Sequence, residues 1–140
     1  MIHSAGILFY KQGIDGIRVW LVHPSSVVHD NSKAKWSIPK GEADTFERLK
    51  TCAVREIKEE LGLKIKEKNL HYLGYSVYAN NKKCVYGFCH PFIGTKKLNW
   101  EVDAFVSYPI EEAKQIIHEA QVVFMDRLQE YLTQRKAITI

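Results

Sequence analysis

The run 55–60 constrains this chain more than any other short segment, because it places three glutamates within five consecutive positions. On a helix of about 3.6 residues per turn, Glu56 neighbours both Glu59 and Glu60, with Cβ atoms roughly 5–6 Å apart. Two like charges about 5 Å apart repel by roughly 3 kcal/mol at an effective dielectric constant of about 20. The patch is therefore expected to face either a hard divalent cation, which prefers oxygen ligands, or nearby basic side chains on an ordinary solvated helix face. The basic candidates are Arg55, Lys58 and Lys64.

The same part of the chain carries an apolar stripe that predicts a helix over about residues 44–61. Asp44 or Thr45 is the expected N-cap, and Gly62 is the expected C-terminal stop. The apolar residues recur at i, i+3 and i+4 spacing and are Phe46, Leu49, Ala53, Ile57 and Leu61. Because each residue turns the helix by about 100°, this stripe lies beside the glutamates, and the helix can pack on a sheet while its acidic edge borders a cleft.

Length and charge predict one domain over residues 1–140 with an anionic small-molecule partner. The chain has 140 residues, 46% of them hydrophobic, which is enough for one core. Its formal net charge of +4 is spread along the chain. That mild positive charge suits a phosphorylated small molecule and falls short of the basic stripe of a nucleic-acid-binding protein, so no stable nucleic-acid partner is expected.

The cysteines and the N-terminal segment favour a cytoplasmic protein with reduced thiols. The three cysteines have no CxxC spacing and do not suggest a disulfide framework. A soft-metal site made from Cys84, Cys89 and His90 is the alternative. The first residues lack the basic region and long apolar stretch of a signal peptide, and no run approaches the roughly 18–20 apolar residues of a membrane span.

Apolar and β-branched runs elsewhere predict a sheet, and the last third of the chain returns to helical spacing. Ala5–Tyr10 and Ile17–His23 form a predicted hairpin, followed by a long polar loop and a short strand at Trp36–Ile38. Further predicted strands are Leu70–Ala79, Cys84–Ile93 and Ala104–Tyr108. From Pro109 the spacing is helical, with a break expected near Ile117–Glu119. This order predicts an α/β (α+β) domain in which helices cover both faces of a mixed sheet.

The complete spacing of the acidic segment resembles the signature of the Nudix (MutT-like) hydrolases. It runs Gly41, five residues, Glu47, seven residues, and then Arg55–Leu63, with no fixed position missing. Three other stretches also resemble family members that act on nucleotides, and they are Ser4–Tyr10, Trp36–Gly41 and Pro109–Ala113. The resemblance implies a Nudix fold, with a mixed curved sheet sandwiched between helices, and hydrolysis of a pyrophosphate linkage with Mg²⁺ or Mn²⁺ as cofactor.

Carried over position by position, the resemblance assigns roles to the charged residues. Glu59 and Glu60 look like direct metal ligands, with the Gly41 carbonyl as a further one. Glu56 would orient or deprotonate the attacking water, and it also belongs to the implied metal-binding group. Arg55 would hold a glutamate in place by a charge-assisted hydrogen bond. Which glutamate acts as the general base stays open.

The same resemblance assigns roles to two further acidic residues. Glu47 would lie roughly 13 Å from the cluster along an unbroken helix, so it can support the site only if the helix begins after it or the loop folds back. Glu101 resembles the acidic residue that many Nudix enzymes contribute from a loop, and Asp103 is its neighbouring competitor. A plain surface position is the alternative for Glu101.

The substrate is expected to be a nucleotide held by a lysine and aromatic side chains. Lys40 would meet a phosphate, and a base would stack on an aromatic ring such as Tyr78, Tyr86 or Trp100. Tyr78 lies near the position of a tyrosine found in family members that cleave dinucleoside polyphosphates, which favours a substrate like diadenosine tetraphosphate.

Several alternatives stay open at this point. They are hydrolysis of nucleoside triphosphates, including oxidised ones, removal of pyrophosphate from an RNA 5′ end, and a non-catalytic nucleotide sensor. The oligomeric state, monomer or homodimer, is also open. Phe46 stands where many relatives have glycine, so the loop before the helix is expected to differ in shape.

Overall fold

A six-stranded mixed β-sheet forms the middle layer of the computed structural model, which describes residues 1–24, 35–94 and 102–138. The strands are β1 (Ile2–Gly13), β2 (Gly16–Pro24), β3 (Lys40–Glu42), β4 (His71–Val77), β5 (Lys83–Pro91) and β6 (Val102–Pro109). Their order is β4-β5-β1-β2-β6, and β3 pairs with β1 off this path. β1 and β5 run parallel, whereas the other paired strands run antiparallel.

β1 lies at the centre of the sheet, and its sequence is apolar on both faces because both faces are covered. Ala5, Ile7 and Phe9 belong to the core on one face, and Leu8 and Tyr10 belong to the core on the other. The first core is closed by α1 (Leu49–Leu61) and the second by α2 (Ile110–Ile116) and α3 (Val122–Ile138). The predicted fold class, a mixed sheet between helices, is confirmed.

The predicted interruption of the C-terminal helical region is also confirmed. α2 ends at Ile116, and a short 3-10 turn at Glu119–Gln121 separates it from α3. Gly62 ends α1 as expected, since it has a left-handed backbone with φ of 70° and donates its N–H to the Lys58 carbonyl.

The start of α1 differs from the prediction. The helix begins at Leu49 with Arg48 as its N-cap and no side-chain cap, so neither Asp44 nor Thr45 caps it. Phe46 is not part of the buried stripe, because it precedes the helix and is fully exposed. The reason is a turn at Asp44–Glu47, closed by a hydrogen bond of 3.0 Å from the Glu47 N–H to the Asp44 carbonyl, which brings Glu47 back towards the helix.

The short strand after the hairpin is also displaced. Ser37 and Trp36 form only isolated bridges, to Val22 and Ile117, and the continuous strand is β3. β3 pairs with β1 from Ser4 to Gly6, where β2 no longer follows β1.

The three cysteines are buried and free, in agreement with the absence of a disulfide framework. In the part of the chain that the structure describes, no His, Cys, Asp and Glu side chains come together as a metal-binding group, and this includes the soft-metal alternative at Cys84, Cys89 and His90. Within the same residues, no helix is long and apolar enough to cross a lipid bilayer.

The backbone of Phe46 is locally unfavourable, which generates a stability prediction. Its φ is 64°, a left-handed conformation that costs a residue with a Cβ about 1–2 kcal/mol. Replacement by glycine removes this cost. It also lowers the free energy of unfolding by about 0.4–1 kcal/mol, because glycine has more conformational freedom in the unfolded chain. Phe46→Gly is therefore expected to exceed Phe46→Ala in free energy of unfolding by about 1 kcal/mol, measured by urea denaturation. The comparison with alanine isolates the backbone effect, and equal stability of the two variants would contradict it.

Candidate active site

The Arg55 guanidinium joins the loop before α1 to the acidic face of α1. Its Nε and Nη2 donate to the two carboxylate oxygens of Glu47 at 2.7 and 2.8 Å, a bidentate pair. Its Nη1 donates to Glu56 Oε1 at 2.8 Å and to Glu59 Oε2 at 3.2 Å. Nη2 also donates to the Glu42 carbonyl at 3.1 Å. One cation thus partly compensates the repulsion among three carboxylates.

Glu47 reaches this network because α1 begins after it. Its side chain is 10% exposed, and Glu47 Oε1 also accepts the Asp44 N–H at 3.0 Å. The hydrogen bonds from Arg55 are the main cause that lowers the pKa of Glu47 from 4.5 to about 2. The same contact with Glu47, followed by that with Glu56, raises the pKa of Arg55. The sequence allowed Glu47 to join the cluster only if the helix begins after it or the loop folds back, and α1 does begin after Glu47.

Gly41 is a glycine for a steric reason. It lies in β3 opposite Ala5, and the Glu56 carboxyl group packs directly on its α-carbon. A β-carbon at position 41 would overlap that carboxyl group. Gly41 and Glu56 are thus in close contact. The side chain of Glu56 is only 13% exposed, so it has little room to move.

The Gly41 carbonyl oxygen accepts the Cys52 thiol at 3.5 Å. Burial, followed by the charge of Glu47, raises the pKa of Cys52 to about 11. The thiol is therefore protonated near neutral pH and serves as a weak donor to this carbonyl.

Lys40 precedes Gly41 and lies in the electric field of the acidic cluster. Burial is the largest effect on its pKa and lowers it, with Lys83 acting in the same direction. The carboxylates of Glu60, Glu42 and Glu56 oppose this shift. Lys40 thus interacts electrostatically with Glu60, Glu42 and Glu56, and its contact with a phosphate stays a prediction of the sequence.

The donor set of the cluster suits a hard divalent cation. Glu56, Glu59 and Glu60 supply carboxylates and Gly41 supplies a carbonyl, which are the oxygen ligands that Mg²⁺ and Mn²⁺ prefer. Across the described residues, however, no carboxylates are gathered into a ready coordination shell, and the Arg55 guanidinium bridges Glu56 and Glu59. Glu59 is 55% exposed at its side chain and is accessible from solvent. Glu101, the fifth predicted ligand, lies outside the described residues.

The predicted aromatic contacts do not share one surface. The Tyr78 ring packs with the core under α2 and α3, whereas the Tyr86 ring packs with the core under α1, so the two rings lie on opposite faces of the sheet. Tyr86 is hydrogen-bonded to His3 Nδ1 at 3.2 Å through its hydroxyl group. Trp100 lies outside the described residues.

His118 is a candidate that the sequence analysis missed. Its ring stacks on Tyr78 with centroids 4.4 Å apart and planes 17° apart, and both rings border a cavity of about 400 Å³. His118 Nδ1 accepts the Ala120 N–H at 3.1 Å, so the neutral ring carries its proton on Nε2. Burial is the main cause that lowers the pKa of His118, and the charges of Lys35, Lys40 and Lys83 also lower it against the opposing effect of Glu119. The only signal in the sequence was the position of His118 at the predicted helix break.

The Arg55–Glu47 pair generates a prediction for acid stability. Because the folded-state pKa of Glu47 is depressed, its stabilising effect is present above pH 4.5 and is lost as the pH falls towards about 2. Glu47→Gln is therefore expected to flatten the pH dependence of the free energy of unfolding in this window. The measurement is urea denaturation between pH 2 and 5 in the presence of a chelator. The exposed Glu130→Gln variant serves as the control that keeps the wild-type slope, and a Glu47→Gln protein with that same slope would count against the pair.

Comparison with known proteins places this site in a family. A family model described as NUDIX domain matches residues 3–128. An Ap4A hydrolase from C. elegans in a binary complex superposes with a TM-score of 0.75 at 20% identity, over 96% of this chain and 99% of that chain. The ORF135 protein of E. coli gives a TM-score of 0.73 at 20% identity, over 96% and 93% of the two chains. A MutT protein from Methanosarcina mazei Go1 gives 0.70 at 20% identity, over 93% and 94%.

At these identities the structural likeness establishes the fold, while the family model establishes the relationship. No curated protein matches the chain by sequence. The model match covers most of the 140 residues and includes the whole of the Arg55 network. The chain therefore belongs to the Nudix family.

Proposed function

We propose that this Nudix pyrophosphohydrolase cleaves a pyrophosphate linkage in a nucleoside diphosphate-linked substrate, most favourably a dinucleoside polyphosphate such as diadenosine tetraphosphate. The observation that carries the proposal is the Arg55 network, which gathers Glu47, Glu56 and Glu59 beside Gly41. A cytoplasmic location and a single domain over residues 1–140 are further proposals from the sequence.

Nudix hydrolases generally use divalent metal ions, and we propose Mg²⁺ or Mn²⁺ for this chain. The residues that would hold the metal are Gly41, Glu56, Glu59, Glu60 and Glu101. When bound, such an ion neutralises phosphate oxygens and lowers the pKa of a coordinated water.

Arg55 and Glu56 carry the proton-transfer part of the proposal. Arg55 holds Glu56 at 2.8 Å and keeps the carboxyl group against Gly41, so that its orientation is set before substrate arrives. A carboxylate positioned in this way can orient the attacking water and accept its proton. Glu47 keeps Arg55 in place from the other side through the bidentate pair.

Positive charge near His118 supports a substrate with several phosphates. Lys35, Lys40 and Lys83 all lower the pKa of His118, and Lys35 is itself paired with Glu119 at 3.1 Å. The charges of Glu60, Glu42 and Glu56 act on the pKa of Lys40, so Lys40 interacts electrostatically with the acidic residues as well as with His118. Ammonium donors next to aromatic rings suit a nucleotide with several phosphates.

The likeness to the C. elegans Ap4A hydrolase agrees with a dinucleoside polyphosphate as substrate. Tyr78 and His118 are the proposed base contacts. Tyr86 lies on the other face of the sheet, so it would not contact the same base as Tyr78. A base contact by Trp100 stays a prediction of the sequence. The second candidate is hydrolysis of nucleoside triphosphates, the alternative that the sequence analysis left open.

The deciding experiment compares the wild type and Glu59→Gln with three substrates and Mg²⁺. The wild type is expected to hydrolyse diadenosine tetraphosphate more efficiently than ATP or ADP-ribose, measured as kcat/KM from released products. Glu59→Gln is expected to lower turnover at least about a hundredfold, because it removes one carboxylate from the proposed ligand group. Removal of divalent ions with a chelator should have the same effect, and added Mg²⁺ or Mn²⁺ should restore the wild type alone.

Glu130→Gln is the matched control, since it makes the same chemical change on an exposed residue of α3. It should retain wild-type turnover, and circular dichroism should show that both variants are folded. Undiminished Mg²⁺-dependent hydrolysis by Glu59→Gln would refute its assigned role. Tight nucleotide binding by a wild type without turnover would favour the sensor, and a preference for ATP would favour the second candidate.

A further inference from the structure

Gln121 is a fully buried polar residue that joins three separate parts of the chain. It ends the 3-10 turn before α3 and has 0% exposed surface. Its Oε1 accepts the backbone N–H of Ile38 at 2.9 Å. Its Nε2 donates to the Tyr78 hydroxyl oxygen at 3.0 Å and to Ser37 Oγ at 3.0 Å. Buried polar groups without partners are costly, and these side-chain hydrogen bonds of Gln121 are all made to residues far away along the chain.

The neighbours of Gln121 determine which way its amide points. The Ile38 N–H can only donate, so the amide oxygen must face it and the amide nitrogen must face Tyr78. The Tyr78 oxygen is therefore an acceptor in this contact. Its own O–H hydrogen is directed away from Gln121 and is available to a different acceptor.

The segment that Gln121 holds leads directly into the acidic site. Ser37 and Ile38 are followed by Pro39, Lys40 and Gly41. The Pro39 carbonyl accepts the Ile7 N–H at 3.1 Å, so β1 holds this segment further along the chain. Gln121 holds it on the side that faces Tyr78.

The Tyr78 ring is connected to the same segment by a second route. It stacks on His118, and the backbone N–H of His118 donates to the Trp36 carbonyl at 2.9 Å. The amide of Gln121 and the ring of His118 thus determine the position of Tyr78 relative to the start of β3.

We propose that Gln121 is a positioning residue for nucleoside recognition, which sets the distance between Tyr78 and the strand that carries Lys40 and Gly41. This inference rests on the proposed function, because it takes Tyr78 as the base contact. Gln121 does not touch the substrate in this proposal. It acts through Tyr78.

The test compares Gln121→Met, Tyr78→Phe and the double variant with the wild type. Methionine keeps the approximate length of glutamine and removes the amide. Gln121→Met is expected to raise KM for diadenosine tetraphosphate about tenfold with kcat changed less than threefold. The inhibition constant of inorganic tetraphosphate, which lacks a base, should stay within twofold of the wild-type value. KM of the double variant should be no higher than KM of Gln121→Met alone, since both changes remove the hydrogen bond between Gln121 and Tyr78.

Gln134→Met is the matched control, because it makes the same change at an exposed position of α3. It should leave both constants at their wild-type values. A purely structural role for Gln121 would lower the active fraction for every ligand alike. The proposal is overturned if KM of Gln121→Met stays within twofold of the wild type, if the tetraphosphate inhibition constant rises in parallel, or if the two single effects add fully.

A second measurement keeps the proposal testable if Gln121→Met does not fold. In ¹⁵N-labelled protein, the side-chain amide signals of Gln121 should exchange slowly with solvent and should shift in Tyr78→Phe. They should also shift when a non-hydrolysable dinucleotide is added to the wild type. Unshifted signals would overturn the proposal. Because this readout needs binding and no turnover, a wild type that binds but does not hydrolyse would refute the proposed function alone.

Discussion

The contact between the Arg55 guanidinium and three carboxylates is the interaction on which the candidate site depends. Glutamates at i, i+3 and i+4 spacing repel one another on an isolated helix. Arg55 offsets this repulsion and draws in Glu47 from the preceding loop through two hydrogen bonds of 2.7 and 2.8 Å. The cost of removing these charges from water is met by pairing and by the backbone contact to Glu42. The loop conformation, including the unfavourable backbone of Phe46, follows from this requirement.

β3 and the residues just before it connect the two faces of the sheet, the one covered by α1 and the one covered by α3. β3 pairs with the N-terminal half of β1, which places Gly41 under Glu56 on the side of α1. The residues just before β3 are bonded to Gln121 on the side of α3. The acidic cluster and the Tyr78–His118 pair thus lie at the two ends of one short stretch of chain. Lys40 lies between them in the sequence, and it is the residue proposed to contact a phosphate.

Local pattern predicted the longer strands and the helices, but it misplaced the short strand β3 and the start of α1, which depend on long-range contacts. Gly62 ends α1 because glycine accepts a left-handed backbone, a property that depends on no partner. The start of α1 was mispredicted because Asp44 and Thr45 are good capping residues locally, whereas the pairing of Glu47 with Arg55 is a tertiary contact that overrides them. The sequence did not single out Gln121, because its role depends on hydrogen bonds to Ile38 and Tyr78, which are far from it along the chain. The predicted ligand Glu101 and the predicted aromatic Trp100 lie outside the described residues, and their roles stay predictions.

The carboxylates beside Arg55 are proposed to hold a divalent ion while Arg55 remains paired with Glu47. The most direct measurement is an anomalous difference map from a crystal of the protein soaked in Mn²⁺. We expect an anomalous peak within bonding distance of the carboxylates of Glu56, Glu59 and Glu60, with both Arg55–Glu47 hydrogen bonds retained. A map without a peak at these carboxylates, or a bound ion in a structure where Arg55 no longer contacts Glu47, would refute this role of the carboxylates.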